Sequence, residues 1–126
     1  MTGKRRWRHY ETSAGRQPVK EFLGALNEED VAAVAAAMNE VREKGLRSAR
    51  HLQGGIYEVR TSGNRAIYRL LFVPQGRRSQ VLLTLVVLRK KTQKTPPQII
   101  RLARQRLRDW ERRGSGVKKG RMRSFL

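Results

Sequence analysis

The stretch VLLTLVVL at residues 81–88, followed by RKKTQKTPP at residues 89–97, is the part of the sequence that best predicts the fold. The first segment is the most apolar run in the chain. It is apolar on both alternating faces, which is typical of a strand in the centre of a sheet. The second segment carries four cations and two threonine hydroxyls and ends in two prolines, which suit the first turn of a helix. We therefore expect a buried strand to hold a basic rim in place, with a helix beginning beside it.

Hydrophobic spacing along the rest of the chain predicts a series of short strands and three helices. Pro18 suits the first position of a helix, and Asn27 is a suitable N-cap for a second helix whose first turn is acidic. The predicted strands cover residues 5–12, 56–60, 66–73 and 80–88, with a brief strand around residues 49–52, and the predicted helices cover residues 18–26, 28–44 and 96–112.

This order of elements, β-α-α-β-β-β-α, predicts an α+β fold with a small, mainly antiparallel sheet and helices packed on one face. The second face of the sheet would then be available as a binding surface. We expect one domain over residues 1–113. Residues 114–126 are predicted to form a flexible basic tail, because they are rich in glycine and cations and short of apolar residues.

The charge of the chain indicates a polyanionic partner. The 126 residues include 29 Lys and Arg against 10 Asp and Glu, which gives a formal net charge of +19. Solubility alone needs a net charge of only about 2–8 on a small domain, so a merely solvated surface is the weaker interpretation. Most of the excess positive charge follows residue 50, and we expect RNA or DNA to bind there.

The residue types exclude several classes of site. The chain has no cysteine, which excludes disulfides and thiolate metal sites and fits a reducing cytoplasm. After residue 44 the acidic residues are Glu58, Asp109 and Glu111, too few to hold Mg²⁺ in a carboxylate cluster. His9 and His51 are the only histidines, too few for a zinc site without thiols. We therefore expect neither a metal nor a cofactor.

No apolar run approaches the roughly 20 residues that a membrane-crossing helix needs. The N-terminus also lacks the apolar core of a signal peptide. We expect no membrane partner and a cytoplasmic location. A basic amphipathic helix lying on an anionic membrane is a weaker alternative.

Cation chemistry on an RNA backbone remains open to this set of residues. RNA supplies its own nucleophile, the 2′-hydroxyl, so an enzyme needs a base, cations on the scissile phosphate and an acid for the leaving oxygen. Lysine and arginine can fill these roles, since a lysine among other cations exists more readily as the neutral amine. The candidate cations are Arg60, Arg69, Arg89, Lys90, Lys91 and Lys94, and Tyr57 or Tyr68 would stack on a base or contact the phosphate.

Each candidate also has a simpler interpretation. Arg60 is explained about as well as an ordinary strand residue that is solvated or ion-paired as it is by a role in catalysis. Glu58 is expected to pair with a neighbouring arginine. Arg69 is the sharper candidate, because it lies within an otherwise apolar strand where a charge needs a reason. Simple attraction to phosphate, without catalysis, would also explain Lys90 and Lys91.

Four segments together resemble the RelE/HigB-like toxins of type II toxin–antitoxin systems, in particular their phage-derived branch. The segments are GRQPVKEFL at 15–23, the run from Leu52 through GIYEVR at 55–60, YRLLF at 68–72 and KKTQKTP at 90–96. The resemblance covers roughly residues 7–112. The last segment, placed between an apolar strand and a helix, is the most specific in combination with the others.

The resemblance implies a metal-independent endoribonuclease that enters the ribosome and cleaves mRNA. It places Arg60, Arg69, Lys90 and Lys91 in a catalytic basic cleft. Tyr57, Tyr68, Arg89, Lys94, Arg101 and Arg104 are then the expected RNA-binding residues. The implied partners are the ribosome with its mRNA, a cognate antitoxin of the helix-turn-helix type, and operator DNA bound only by the toxin–antitoxin complex.

A non-catalytic RNA- or DNA-binding regulatory module is the competing interpretation. It depends on charge alone, and it explains the basic segment after residue 113 more directly. Cleavage of translated mRNA would distinguish the two functions, because a binding module would hold RNA without cutting it.

Overall fold

The computed structural model describes residues 5–90 and 93–114, which form a five-stranded mixed sheet, three α-helices and one short 3₁₀ turn. The strands are β1 (Arg6–His9), β2 (Arg50–Gln53), β3 (Ile56–Ser62), β4 (Ile67–Gln75) and β5 (Val81–Arg89). The helices are α1 (Pro18–Gly24), α2 (Glu28–Lys44) and α3 (Pro97–Arg112), and the 3₁₀ turn spans Gly45–Ser48. The predicted α+β class and order of elements are confirmed, and so is the brief strand expected around residues 49–52, which is β2.

Local sequence explains where the helices begin. The side chain of Asn27 accepts a hydrogen bond from the backbone N–H of Asp30 at 2.9 Å, which caps α2 as expected. Proline occupies the first turn of both α1 and α3, where its missing N–H has no helical partner to lose. Gly45 ends α2 with a φ of 83°, a conformation that side chains with a Cβ rarely adopt.

The strands lie in the order β1-β5-β4-β3-β2, so the apolar β5 lies inside the sheet as predicted. β5 pairs antiparallel with β4 along its length, and β1 pairs parallel with its first half, from Arg6 opposite Val81 to His9 opposite Thr84. The remaining strand pairs are antiparallel, which confirms the mainly antiparallel sheet.

The helices cover both faces of the sheet, so the prediction that they pack on one face is wrong. Alternate residues of β4 enter two separate cores, with Leu71 facing α3 and Leu70 facing α1 and α2. The cause is the position of α3, which follows β5 and packs against the face opposite to that covered by α1 and α2. Among the described residues, helices therefore pack on both faces of the sheet, and the bare face expected as a binding surface is not found.

Within the described ranges, no helix is long and apolar enough to cross a membrane. The predicted tail lies outside the described residues from position 115 onward, as do the first four residues and positions 91 and 92.

Candidate functional site

The C-terminal end of β5 forms one wall of a cleft of about 600 Å³, which we call the cationic cleft. Four cations line it, namely Arg69, Arg89, Lys90 and Lys94. No acidic residue is among the described residues that line it. The basic rim predicted from the sequence is therefore assembled around a concave surface, and its charge is uniformly positive.

The floor and sides of the cationic cleft are apolar. The contributing residues are Phe22, Ala25 and Leu26 at the end of α1, Leu88 on β5, and Pro96 and Ile99 at the start of α3. The cleft thus opens between a helix on one face of the sheet and a helix on the other. Concave apolar surface with a few charged groups at its rim is the usual form of a binding site.

Arg69 lies at the base of the cleft, with only 1% of its side chain exposed. Its guanidinium donates to the Thr95 hydroxyl at 2.6 Å and to the Gln93 carbonyl at 2.5 Å. The Thr95 hydroxyl in turn donates to Glu58, whose carboxylate lies 3.7 Å from Arg69. This network ties the turn before α3 to the middle of the sheet, and so holds Lys94 at the rim.

Glu58 is the counter-ion for two arginines, whereas the sequence predicts pairing with one neighbouring arginine. Its carboxylate is fully buried on β3 and contacts Arg60 at 3.3 Å as well as Arg69. Arg60 and Arg69 are direct cross-strand partners, so one buried carboxylate serves both. Arg60 differs in that 39% of its side chain is exposed to solvent, but it is not among the residues that line the cleft.

Arg89 lies on the opposite face of the sheet from Arg69, since neighbouring positions of β4 and β5 alternate in direction. Its guanidinium lies 5.8 Å from the centre of the Tyr68 ring. The Tyr68 hydroxyl donates to Asp30 at 2.5 Å, and the backbone N–H of Asn64 donates to the same carboxylate at 2.6 Å. The hydrogen bonds from Tyr68 and Asn64 lower the pKa of Asp30, and the hydrogen bond to Asp30 raises the pKa of Tyr68.

The structure buries Tyr68, which the sequence predicts to stack on a base or contact the phosphate. Only 1% of Tyr68 is exposed, and its ring packs edge-on against Phe22. A buried ring has no face to offer to a base. The sequence pattern could not reveal this, because an amphipathic tyrosine suits both a surface and a core with a hydrogen-bond acceptor.

Tyr57 is not part of the cleft. It is half-buried and stacks on Phe72 at 6.1 Å between ring centres, on the face covered by α1 and α2. His51 packs edge-on against it at 5.1 Å. Arg60 points to the other face of β3, so the structure separates this tyrosine from Arg60 and Arg69.

Arg101 and Arg104 form a second basic surface on the outer side of α3. Both are exposed and line a shallow groove together with Arg108 and Gln53. Arg104 donates to the Gln53 side chain at 2.7 Å, which links α3 to β2. This surface is distinct from the cationic cleft.

Two further observations bear on the predicted chemistry. Lys91 lies outside the described residues, so the predicted Lys90–Lys91 pair is placed only through Lys90, whose backbone N–H bonds the Ile67 carbonyl at 2.6 Å. Among the residues that the structure describes, no three His, Asp or Glu side chains form a group able to hold a metal ion.

The apolar wall from α1 was not anticipated from the sequence. Phe22 and Leu26 read as core residues of an amphipathic helix, and nothing in their spacing indicates that one end of that helix borders a cleft. The contact of Thr95 with Glu58 could not be predicted from the sequence either, because 37 residues separate them along the chain.

Comparisons with known proteins give one finding. A family model described as "Phage derived protein Gp49-like" matches residues 21–108, from the middle of α1 to near the end of α3. The match includes every described residue of the cationic cleft. A comparison with curated proteins gives no match.

Proposed function

Because the chain belongs to the Gp49-like family of phage-derived proteins, which is associated with toxins of toxin–antitoxin systems, we propose that it is such a toxin and cleaves mRNA. The observation that carries the proposal is the cationic cleft. Four cations converge there with no carboxylate among the described lining residues. That arrangement suits a phosphodiester and a reaction that uses the RNA's own 2′-hydroxyl as nucleophile.

The proposed role of each cation depends on how far its side chain is exposed to solvent. Lys90 or Lys91 would act on the 2′-hydroxyl or on the scissile phosphate. Arg60 would stabilise the negative charge that develops on the phosphate, since its exposed side chain can reach outward. Arg69 is buried, so its proposed role changes from direct catalysis to holding the turn at residues 93–95 in place.

The second basic surface would orient a larger RNA. Arg101 and Arg104 are exposed on α3, away from the cleft, and contacts of this kind position a nucleic acid without reading its sequence. We propose that they dock the protein on the ribosome while Arg89 and Lys94 guide the mRNA at the rim. The proposed partners also include a cognate antitoxin of the helix-turn-helix type, and operator DNA when the two proteins are bound together.

Brief induction in cells, followed by mapping of mRNA ends, tests the proposal. Wild-type protein should arrest growth and create new mRNA ends carrying 5′-hydroxyl groups. Lys90→Ala/Lys91→Ala should abolish both effects. Arg77→Ala/Arg78→Ala is the matched control, because it removes the same charge from an exposed turn and should remain toxic.

Two outcomes would contradict the proposal. New ends that persist in the lysine variant would place the active site elsewhere. A purified protein that binds RNA but never cuts it, even on translating ribosomes, would favour a non-catalytic binding module, for which the exposed arginines of α3 are the supporting observation.

A further inference from the structure

A second groove adjoins the cationic cleft at the end of the sheet where β4 begins and β5 ends. Its volume is about 620 Å³, and it is lined by the turn between β3 and β4 at residues 62–67 and by Arg89 and Lys90. We call it the hairpin groove. Arg89 and Lys90 also line the cationic cleft, so the two concave surfaces adjoin at these side chains. A ligand that extends past them would contact both.

The hairpin groove is positively charged like the cleft, and Arg65 adds a further cation. Arg65 is exposed in the turn, and no acidic residue is among the described residues that line the groove. Asp30 contacts the turn, but it is 3% exposed and accepts hydrogen bonds from Tyr68 and from the backbone N–H of Asn64. Its carboxylate is therefore buried, and the lining of the groove presents positive charge to solvent.

The turn that carries Arg65 is held on several sides. The Gly63 N–H donates to the Ala66 carbonyl at 2.7 Å, which closes the turn. The Lys90 N–H donates to the Ile67 carbonyl at 2.6 Å, which fixes the turn relative to the end of β5. Because the backbone is already held by these bonds and by the contact with α2, a ligand needs to order little more than the Arg65 side chain, which limits the entropy cost of binding.

The uncharged groups of the hairpin groove suit the other parts of a nucleotide. Ser62 and Asn64 are exposed and offer a hydroxyl and an amide, which can hydrogen-bond a phosphate or a ribose hydroxyl. Ile67 is 37% exposed, and a sugar or base that covers it removes apolar surface from water. Cations, neutral donors and exposed apolar surface together are the groups that a nucleic-acid strand needs.

We propose that the hairpin groove binds the nucleotide next to the one in the cationic cleft, with Arg65 on the flanking phosphate. The ligand is then a single-stranded RNA segment, because a base that enters the apolar cleft must be unpaired. Arg89 and Lys90 contact the strand where it passes from one groove to the other. The inference rests on the proposed function for naming the ligand as RNA, and it adds a binding residue, Arg65, that the sequence pattern did not single out.

Oligouridylates with 2′-O-methyl groups, titrated against the full chain, are the probe. The methyl group blocks the nucleophilic hydroxyl, so binding is measured without cleavage. A dinucleotide carries a single phosphodiester and occupies one groove, whereas a hexanucleotide extends through both. The wild-type protein should bind the hexanucleotide about tenfold more tightly than the dinucleotide or better, and its affinity should fall steeply as salt is added.

Arg65→Ala should weaken hexanucleotide binding by about fivefold or more at low salt and leave dinucleotide binding unchanged. The slope of log affinity against log salt should become shallower by about 0.7, the value for one lost phosphate contact on a single strand. Arg65→Lys keeps the charge and should retain the wild-type slope. Arg77→Ala is the matched control, because it removes an exposed arginine from the turn at the other end of β4 and β5 and should bind both probes as the wild type does.

Wild-type affinity and salt slope in Arg65→Ala would overturn the proposal. Equal losses in Arg65→Ala and Arg77→Ala would also overturn it, because they would assign the effect to net charge alone. So would a wild-type protein that binds the two lengths equally, since the ligand would then occupy one groove. A protein that binds the hexanucleotide through Arg65 but never cuts mRNA would contradict the enzymatic proposal and support the hairpin groove, so the two failures are distinguishable.

Discussion

At the scale of single residues, burial distinguishes two arginines that pair with the same carboxylate. Arg60 and Arg69 face each other across β3 and β4 and share the carboxylate of Glu58. Arg69 has 1% of its side chain exposed and Arg60 has 39%. A buried charge depends on its counter-ion far more than a solvated one does, so the two arginines should differ in what they contribute to stability.

We predict that Arg69→Gln lowers the free energy of unfolding by about 3–5 kcal/mol, because it leaves the Glu58 carboxylate with one partner fewer in a buried site. Arg60→Gln should lower it by less than about 1 kcal/mol, because that pair is partly solvated. Urea unfolding of the two variants measures both values. Equal decreases in the free energy of unfolding for the two variants would show that the buried arginine stabilises Glu58 no more than the exposed one does.

At the scale of elements, the turn between β3 and β4 docks on the start of α2. Asp30 is 3% exposed and accepts hydrogen bonds from the backbone N–H of Asn64 in the turn and from Tyr68 on β4. Gly63 passes so close that a Cβ placed on it would lie 2.5 Å from the Asp30 carboxylate. Glycine at this position is therefore required by close approach.

Gly63→Ala should destabilise the protein by about 1–3 kcal/mol, because the added methyl group forces Asp30 and Tyr68 apart. Gly24→Ala is the matched control, since a Cβ there meets no atom within 4 Å and should stabilise α1 by up to about 1 kcal/mol. Thermal unfolding followed by circular dichroism compares the two. A neutral Gly63→Ala variant would mean that the turn shifts away from α2 at little cost.

At the scale of the whole molecule, Asp109 joins the beginning of the described chain to its end. It accepts a hydrogen bond from the Tyr10 hydroxyl at 2.6 Å and pairs with Arg113 at 2.8 Å. Arg113 also donates to the Glu11 carbonyl. The hydrogen bonds from Arg113 and Tyr10 lower the pKa of Asp109 from 3.8 to about 2.

The lowered pKa gives this clamp a defined pH dependence. The unfolded chain binds a proton at Asp109 at higher pH than the folded protein does, so the clamp stabilises the fold above about pH 4 and is lost as the pH falls toward 2. The melting temperature of Asp109→Asn should therefore lie below that of the wild type at neutral pH and approach it near pH 2. Glu111→Gln, on an exposed position of the same helix, should follow the wild-type profile. A constant gap between wild type and Asp109→Asn would contradict the clamp.

The sequence by itself determined the elements and the composition of the rim. Alternation with period two marked β3 and β4, and a run that is apolar on both faces marked β5. Proline and asparagine marked the helix starts, and the run of cations after residue 88 marked one side of the cleft. These signals are local, because each depends on the backbone conformation of a few neighbouring residues.

Only the tertiary structure decided which faces the helices cover and which candidates share a site. A strand pattern shows that two faces exist, but it does not show which helix packs on each face. Pairing over long sequence separations then buried Arg69 and Tyr68 and brought the end of α1 to the rim. The side chains of Arg60 and Arg69 are chemically the same, so their depth in the fold separates a solvent-exposed cation from one that holds a turn in place.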